Sequence, residues 1–180
     1  IGSLSSVQRR VGVDISPRAI AFAQAFHPEV EFRAQDAAEL SETFDVVLAA
    51  EVLEHIPDAA VAGFLKTLEG LAKSHGHVVV SVPSIVQKLN KKHYRHYSAQ
   101  SLAEEVQRCA PQLHLERLEE VFAPARWFKW LAKRTCNKNF VLEMPALNRC
   151  LLRHALGPAR VGAPGTGRHL VAVFKRPPVL

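Results

Sequence analysis

The sequence predicts an α/β domain, with a doubly wound, mostly parallel sheet and helices on both faces. Three observations lead there. Apolar runs of strand length recur at Val11–Ile15, Val30–Arg33, Phe44–Ala50 and Val78–Val82. Helix-patterned stretches separate most of them, and strand–helix units of this length imply parallel pairing with crossover helices. Acids stand at or just beyond the ends of these runs (Asp14, Asp36, Glu51), which is where open α/β sheets place ligands.

Each element has a local reason. VGVDI reads as a short strand ending in an acid. Ser16 can then cap a helix whose first position is Pro17, and Ile20, Phe22, Ala23 and Phe26 form its apolar face. His27-Pro28 ends it. Val30–Arg33 is the next strand, followed by Gln35, Asp36 and Ala37-Ala38. Ser41-Glu42-Thr43 turns into Phe44–Ala50, whose Val46, Val47 and Leu48 suit a strand covered on both faces. A helix is expected from Asp58, as N-cap, to Ser74, with Val61, Phe64, Leu65, Leu68, Leu71 and Ala72 inward. His75-Gly76-His77 closes it before the strand Val78–Val82, which stops at Pro83. Ile85–His96 is a polar, basic loop. Ser98 caps a helix over 99–109, and His114–Val121 and His169–Phe174 read as late strands.

Residues 122–168 are the least regular stretch. They are expected to form an insertion covering the substrate side, with 1–180 as one domain. Within it, residues 127–134 mix Trp127, Trp130 and Leu131 with Lys129, Lys133 and Arg134. A packed helix is the favoured reading, beside a lid or a membrane-surface helix. Residues 1–83 form the cofactor-side half; 84–121 and 169–180 complete the sheet.

Composition bounds the class. The 180 residues suffice for one domain with a core, and 48% hydrophobic with 22% charged residues is ordinary for a globular protein. The apolar runs are far shorter than a membrane span, and neither end resembles a signal peptide. Three widely spaced cysteines (Cys109, Cys136, Cys150) suggest a reducing compartment, so a cytoplasmic location is expected. Residues 1–83 carry 6 Lys/Arg against 11 Asp/Glu, a balance of −5. Residues 84–180 carry 17 against 6, a balance of +11. Such asymmetry can steer an anionic partner to one face, or be no more than an uneven soluble surface.

The candidate chemistry sits at strand ends. A carboxylate at Asp14 can accept bonds from vicinal ribose hydroxyls, or stabilise the helix start at Ser16. Asp36 can receive an exocyclic amine, or serve as a turn residue. If a helical turn begins at Glu51, Glu51 and His55 share its face. With Glu54 they can hold a divalent cation if a further ligand comes from elsewhere, hold His55 as a general base, or form a solvated turn. No metal is assigned on this basis. In the basic-aromatic stretch 91–98, His93 and His96 can reach the site, and Arg95 can pair with a substrate anion.

Taken together, VGVDIS, FRAQDAAEL, FDVVLAAEVLEHIPD and HGHVVVSVPS stand in the order seen in class I S-adenosylmethionine-dependent methyltransferases. The closest resemblance is to the small-molecule branch with the E-V-L-E-H signature. HYRHYS-x-x-x-L and HLVAVFKRP extend the likeness, which covers 11–102 well and 169–177 loosely. The resemblance implies a seven-stranded Rossmann-like sheet and S-adenosylmethionine as cofactor. It implies a ribose-binding acid at Asp14, Ile15 beside the adenine, Asp36 near the adenine amine and a backbone amide from Ala37. Ala50 and Glu51 lie where the family's chain passes the methionine portion, and Glu54 and His55 face the substrate. His55 is the first candidate base and His96 the second. The family's G-x-G-x-G loop is absent as a whole. Gly2 resembles its last glycine, and the first strand and most of that loop are expected to lie outside this sequence.

The expected activity is methyl transfer to an O or N atom of a small-molecule or lipid-like acceptor, anionic ones included. Two rivals differ in kind. Glu51, Glu54 and His55 also resemble the metal set of small-RNA 3′-end ribose 2′-O-methyltransferases, with His93 or His96 as the further ligand. No RNA-binding module supports that reading. A non-catalytic, methyltransferase-like scaffold is the other, disfavoured by the retained Asp14 and Asp36.

Overall fold

The computed structural model describes residues 7–121 and 165–178. They fall into two compact units, residues 1–43 and 44–180. Gly2 and nearly all of the expected insertion, including both tryptophans, lie outside the described residues. Among the described residues no helix is long and apolar enough to cross a membrane.

In the first unit, β1 (Val11–Asp14) and β2 (Glu31–Ala34) pair in parallel around α1 (Pro17–Phe26). Gly12 lies opposite Phe32 on β2, and a Cβ there would meet the Phe32 ring at 2.6 Å. Only glycine lets that ring cover the strand. As expected, Ser16 caps α1, its hydroxyl accepting the Ala19 amide at 3.3 Å with Pro17 in the first turn. The expected apolar face is realised only at Ile20, which is buried. Phe22 and Phe26 are 68% and 66% exposed and pack on each other, their ring centroids 4.8 Å apart. Arg9 and Arg33 bridge Glu31 and Glu42 in a four-residue network.

The second unit is a four-stranded sheet in the order β3-β4-β6-β5, with β3 Phe44–Ala50, β4 Ala72–Pro83, β5 His114–Val121 and β6 His169–Lys175. β3 and β4 are parallel, and β6 runs antiparallel to both β4 and β5. The six described strands therefore make an α/β, Rossmann-like arrangement of mixed sheets. α2 (Asp58–Leu71) and α3 (Ala99–Cys109) complete it. Val78, Val80 and Val82 of β4 are buried, as are Leu170, Ala172 and Phe174 of β6 and Leu65, Leu68, Leu102 and Val106 of the helices. Ser98 caps α3 in a reciprocal pair with Ser101, as its position predicted.

Three local expectations change. The helix expected to run to Ser74 ends at Leu71, and the chain enters β4 at Ala72. Phe44 pairs with Ala72 but Val46 with His77, so β4 bulges between them. His75 takes a positive φ of 64° there, and Gly76 presses against the Lys73 and Asp45 carbonyls. Strand pairing thus overrides a segment that reads as a helix end. Asp58 is the first residue of α2 and not its cap; that place falls to Pro57, with no side-chain cap bond. Finally, Val47 and Ala49 of β3 are buried, whereas Val46 and Leu48 are exposed. β3 is the edge strand of its sheet, and among the described residues only one face of it is covered.

Candidate active site

Parallel strands β3 and β4 end at the same edge of the sheet, and the ionisable residues collect there. The chain leaves β3 through Glu51, whose φ of 54° lies in the left-handed region. A residue with a Cβ costs about 1–2 kcal/mol there. The Glu51 amide donates to the Ser81 carbonyl at 2.9 Å. Its carboxylate accepts the Ser81 hydroxyl at 3.0 Å and faces His169 Nδ1 at 3.2 Å. The next turn is a short 3-10 helix over Leu53–His55, so no helical turn begins at Glu51.

That turn carries Glu54 inward and His55 outward. Glu54 is buried, and its Oε2 has no hydrogen-bond partner among the described residues. Burial pushes its carboxyl up from the ordinary range; its own backbone amide opposes the shift, and the Glu51 charge adds to it. His55 is half exposed. Its Nδ1 lies 3.0 Å from the Lys92 carbonyl and its Nε2 3.8 Å from Glu54 Oε1.

The loop after β4 closes over this turn. Ser84 and Tyr97 form a bridge at its base, where Ile85 donates to the Tyr97 carbonyl and Tyr97 to the Pro83 carbonyl. At its far side, the Tyr94 amide donates to the Glu54 carbonyl at 2.8 Å. The His93 ring packs edge-on against His55 at 4.7 Å, and His93 Nδ1 sits 2.9 Å from His96 Nε2. His96 Nδ1 faces the Gln87 carbonyl at 3.3 Å, so both His96 nitrogens are engaged behind His93. Arg95 donates to the Ile56 and Leu53 carbonyls and pairs with Asp58. Its guanidinium holds the turn through two of its carbonyls and ties it to Asp58, the first residue of α2. Residues 53–56 and 92–95 are thereby cross-linked.

In the first unit, Asp14 is the last residue of β1, one of its oxygens accepting the Ser16 amide at 2.7 Å. Asp36 caps the turn Ala37–Glu39 by accepting the Ala38 amide at 2.9 Å. Ile15, beside Asp14, is 78% exposed. Both acids make the local bonds anticipated for helix and turn starts, and Ala37 opens the turn that Asp36 caps. Ala50 is exposed at the end of β3.

Ser81, Gln87 and His169 were not singled out from the sequence, yet they join one network. Gln87 Nε2 contacts His169 Nε2 at 3.3 Å, and His169 Nδ1 meets Glu51. Only Ser81 carried a signal, as the lone polar residue in VVVSVP.

An α/β arrangement with acids at the carboxyl ends of its strands defines a Rossmann-like ligand-binding protein. Comparison with known families narrows this: a methyltransferase domain model matches residues 6–120, and the chain belongs to that family. The Ubiquinone biosynthesis O-methyltransferase of Azorhizobium caulinodans is 38% identical over 78 residues, covering 39% of this chain and 30% of that protein. The match thus spans under a third of that curated relative. The N-methyltransferase NodS from Bradyrhizobium japonicum WM9 shares the fold at a TM-score of 0.58 and 16% identity, over 94% of this chain and 74% of NodS. NodS has also been solved with S-adenosyl-l-homocysteine. The [4+2]-cyclase SpnF aligns at a TM-score of 0.60 and 17% identity, covering 94% of this chain and 66% of SpnF. The fold alone therefore does not dictate the reaction.

Proposed function

We propose that this chain transfers a methyl group from S-adenosylmethionine to an O or N atom of a small-molecule or lipid-like acceptor. The observation that carries the reading is the pair of acids beyond adjacent parallel strands. Asp14 ends β1 opposite Ala34, and Asp36 stands two residues beyond Ala34 on the partner strand. A nucleoside has a hydroxylated end and an aminated end, and two acceptors at this spacing suit the two. The exposed Ile15 next to Asp14 offers an apolar surface for the base. Family membership supports the same reading, as does the likeness to NodS, solved with the demethylated product. The finer form of the fold, a doubly wound seven-stranded sheet of which six strands are described, belongs to this proposal.

In it, Asp14 binds the ribose hydroxyls, Asp36 the adenine amine, and the Ala37 amide a ring nitrogen. By its sequence likeness Gly2 is assigned as the last glycine of the family's glycine-rich cofactor loop, and Ala50 and Glu51 are assigned to the methionine end. When bound, S-adenosylmethionine supplies a methyl group activated by its sulfonium; the acceptor's lone pair forms the new bond as the C–S electrons return to sulfur. The protein's task is to align the acceptor and exclude water. His55 suits a proton acceptor on the substrate side. The Lys92 carbonyl can only accept, so His55 Nδ1 carries the proton and Nε2 keeps its lone pair. Glu54 stands beside that nitrogen, and His96 acts through His93.

The test is calorimetric titration of the protein with S-adenosylhomocysteine. Micromolar binding, weakened at least tenfold by Asp14→Ala, is expected. Absence of binding to the intact protein overturns the enzyme reading and favours a scaffold.

A further inference from the structure

Glu31 and Glu42 lie between arginines, and Asp58 lies against Arg95. Glu51 is held otherwise. Its carboxylate accepts the Ser81 hydroxyl at 3.0 Å, and His169 Nδ1 stands 3.2 Å from each of its oxygens. Topology explains the meeting. Ala50 pairs with Ser81 across the parallel strands. β6 runs antiparallel to β4, so its first residue, His169, lies at the edge where β3 and β4 end.

Gln87 fixes the tautomer of that imidazole. Its amide oxygen accepts from the Arg168 guanidinium at 3.1 Å, so its nitrogen faces the Arg168 carbonyl and His169 Nε2. An amide nitrogen donates and does not accept. His169 Nε2 is therefore the acceptor, and the ring's one proton sits on Nδ1, aimed at Glu51. A hydroxyl and an uncharged ring N–H thus set the direction of the carboxylate, and neither neutralises its charge. The left-handed φ of Glu51 points the same way, because such a conformation persists only where its surroundings over-determine it, as at ligand clamps. The side chain keeps 41% exposure, so the aimed carboxylate is open to a ligand.

An oriented carboxylate that retains its charge suits a cationic group. S-adenosylmethionine has two at its methionine end, the sulfonium and the α-ammonium. We propose that Glu51 holds this cationic end of the cofactor, with Ser81, Gln87 and His169 as the positioning residues that aim it. The inference rests on the methyl-transfer reading, which assigns Glu51 to that end, and adds what its charge does and which residues direct it.

The experiment is calorimetric titration with three nucleosides. S-adenosylmethionine carries both cationic groups, S-adenosylhomocysteine only the ammonium, and 5′-methylthioadenosine neither. Glu51→Gln keeps the size and removes the charge. It should weaken S-adenosylmethionine at least about tenfold, as loss of a bond to a charged group does, and leave 5′-methylthioadenosine within about twofold. An equal loss for S-adenosylhomocysteine assigns the contact to the ammonium; no loss for it assigns the contact to the sulfonium. His169→Phe should reproduce the selective loss in smaller measure. His169→Asn, which keeps a side-chain N–H near the Nδ1 position, should restore the affinity. A merely structural role would weaken all three ligands together, and retained 5′-methylthioadenosine binding reports an intact fold. Uniform weakening, or none, overturns the proposal. An intact protein that binds none of the three overturns the methyl-transfer reading itself, whereas binding without this selectivity overturns only the role of Glu51.

Discussion

Replacing Tyr97 with phenylalanine tests how the site loop is held. Tyr97 is buried at 3% exposure, and its hydroxyl donates to Glu105 of α3 at 2.6 Å, the short distance of a charge-assisted bond. Burial pushes the phenol up from its ordinary range, and the Glu105 bond adds to the shift, so the proton stays on the tyrosine. A bond to a charged partner contributes about 1.5–3 kcal/mol. The Glu105 side chain keeps 22% exposure, so water can partly replace the lost donor, and we place Tyr97→Phe near 2 kcal/mol. For a chain of this size that lowers Tm by about 4–8 °C. Urea and thermal denaturation of Tyr97→Phe, Glu105→Gln and the double variant should give a coupling energy of about 1 kcal/mol or more. Strictly additive single effects would refute the argument, because the two groups would then not depend on each other.

Phe174→Ala removes a fully buried ring from β6, between β4 and β5, and should cost about 3–5 kcal/mol in urea denaturation. Gly76→Ala puts a Cβ 2.8 Å from the Lys73 carbonyl and 3.1 Å from the Asp45 carbonyl, both backbone atoms that cannot swing aside. A loss of about 1–3 kcal/mol is expected by the same measurement. Bonds from Arg33 and Arg9 hold the Glu31 carboxyl below its usual range, and bonds from Arg9, with burial opposing and Arg33 assisting, do the same for Glu42. A depressed carboxylate lends stability above its unfolded pKa and loses it as pH falls through the folded value. Acid titration followed by circular dichroism should therefore show a loss below the ordinary carboxylate range. Arg9→Gln and Arg33→Gln should flatten it, and an unchanged profile in both would rule the network out as its source.

What the sequence disclosed is what short-range chemistry decides. Ser16-Pro17 and Ser98 mark helix starts because a cap bonds only three residues ahead. The apolar runs located β3, β4 and β6 because burial selects them, as their buried residues show. The early start of β4 was hidden, since Leu71–Ser74 continues the helix pattern and only pairing with Phe44, a distant residue, pulls Ala72 into the sheet. The exposed Val46 and Leu48 were hidden for a related reason: composition reports a capacity for burial, not what covers a strand. At the site, the types and the edge were legible for Glu54, His55, His93 and His96. The Glu51–His169 contact spans 118 positions and leaves no local trace.

The basic loop shows how charge counting misleads when geometry is absent. Residues 84–103 contain no acid, and Lys88, Lys91, Lys92 and Arg95 invite a reading as an anion-binding surface. Arg95 is already committed to two carbonyls and Asp58, and Lys92 contributes its carbonyl to His55. These bonds pin the loop to the Glu54 turn whatever lies in solvent. The loop thereby holds histidines against a buried carboxylate, and its positive field comes from its exposed lysine ammonium groups. Those groups can steer a substrate but carry no geometric information, whereas the histidines and Glu54 do. The geometric information at this edge thus lies in the orientation of those side chains, and the charge around them acts at long range only.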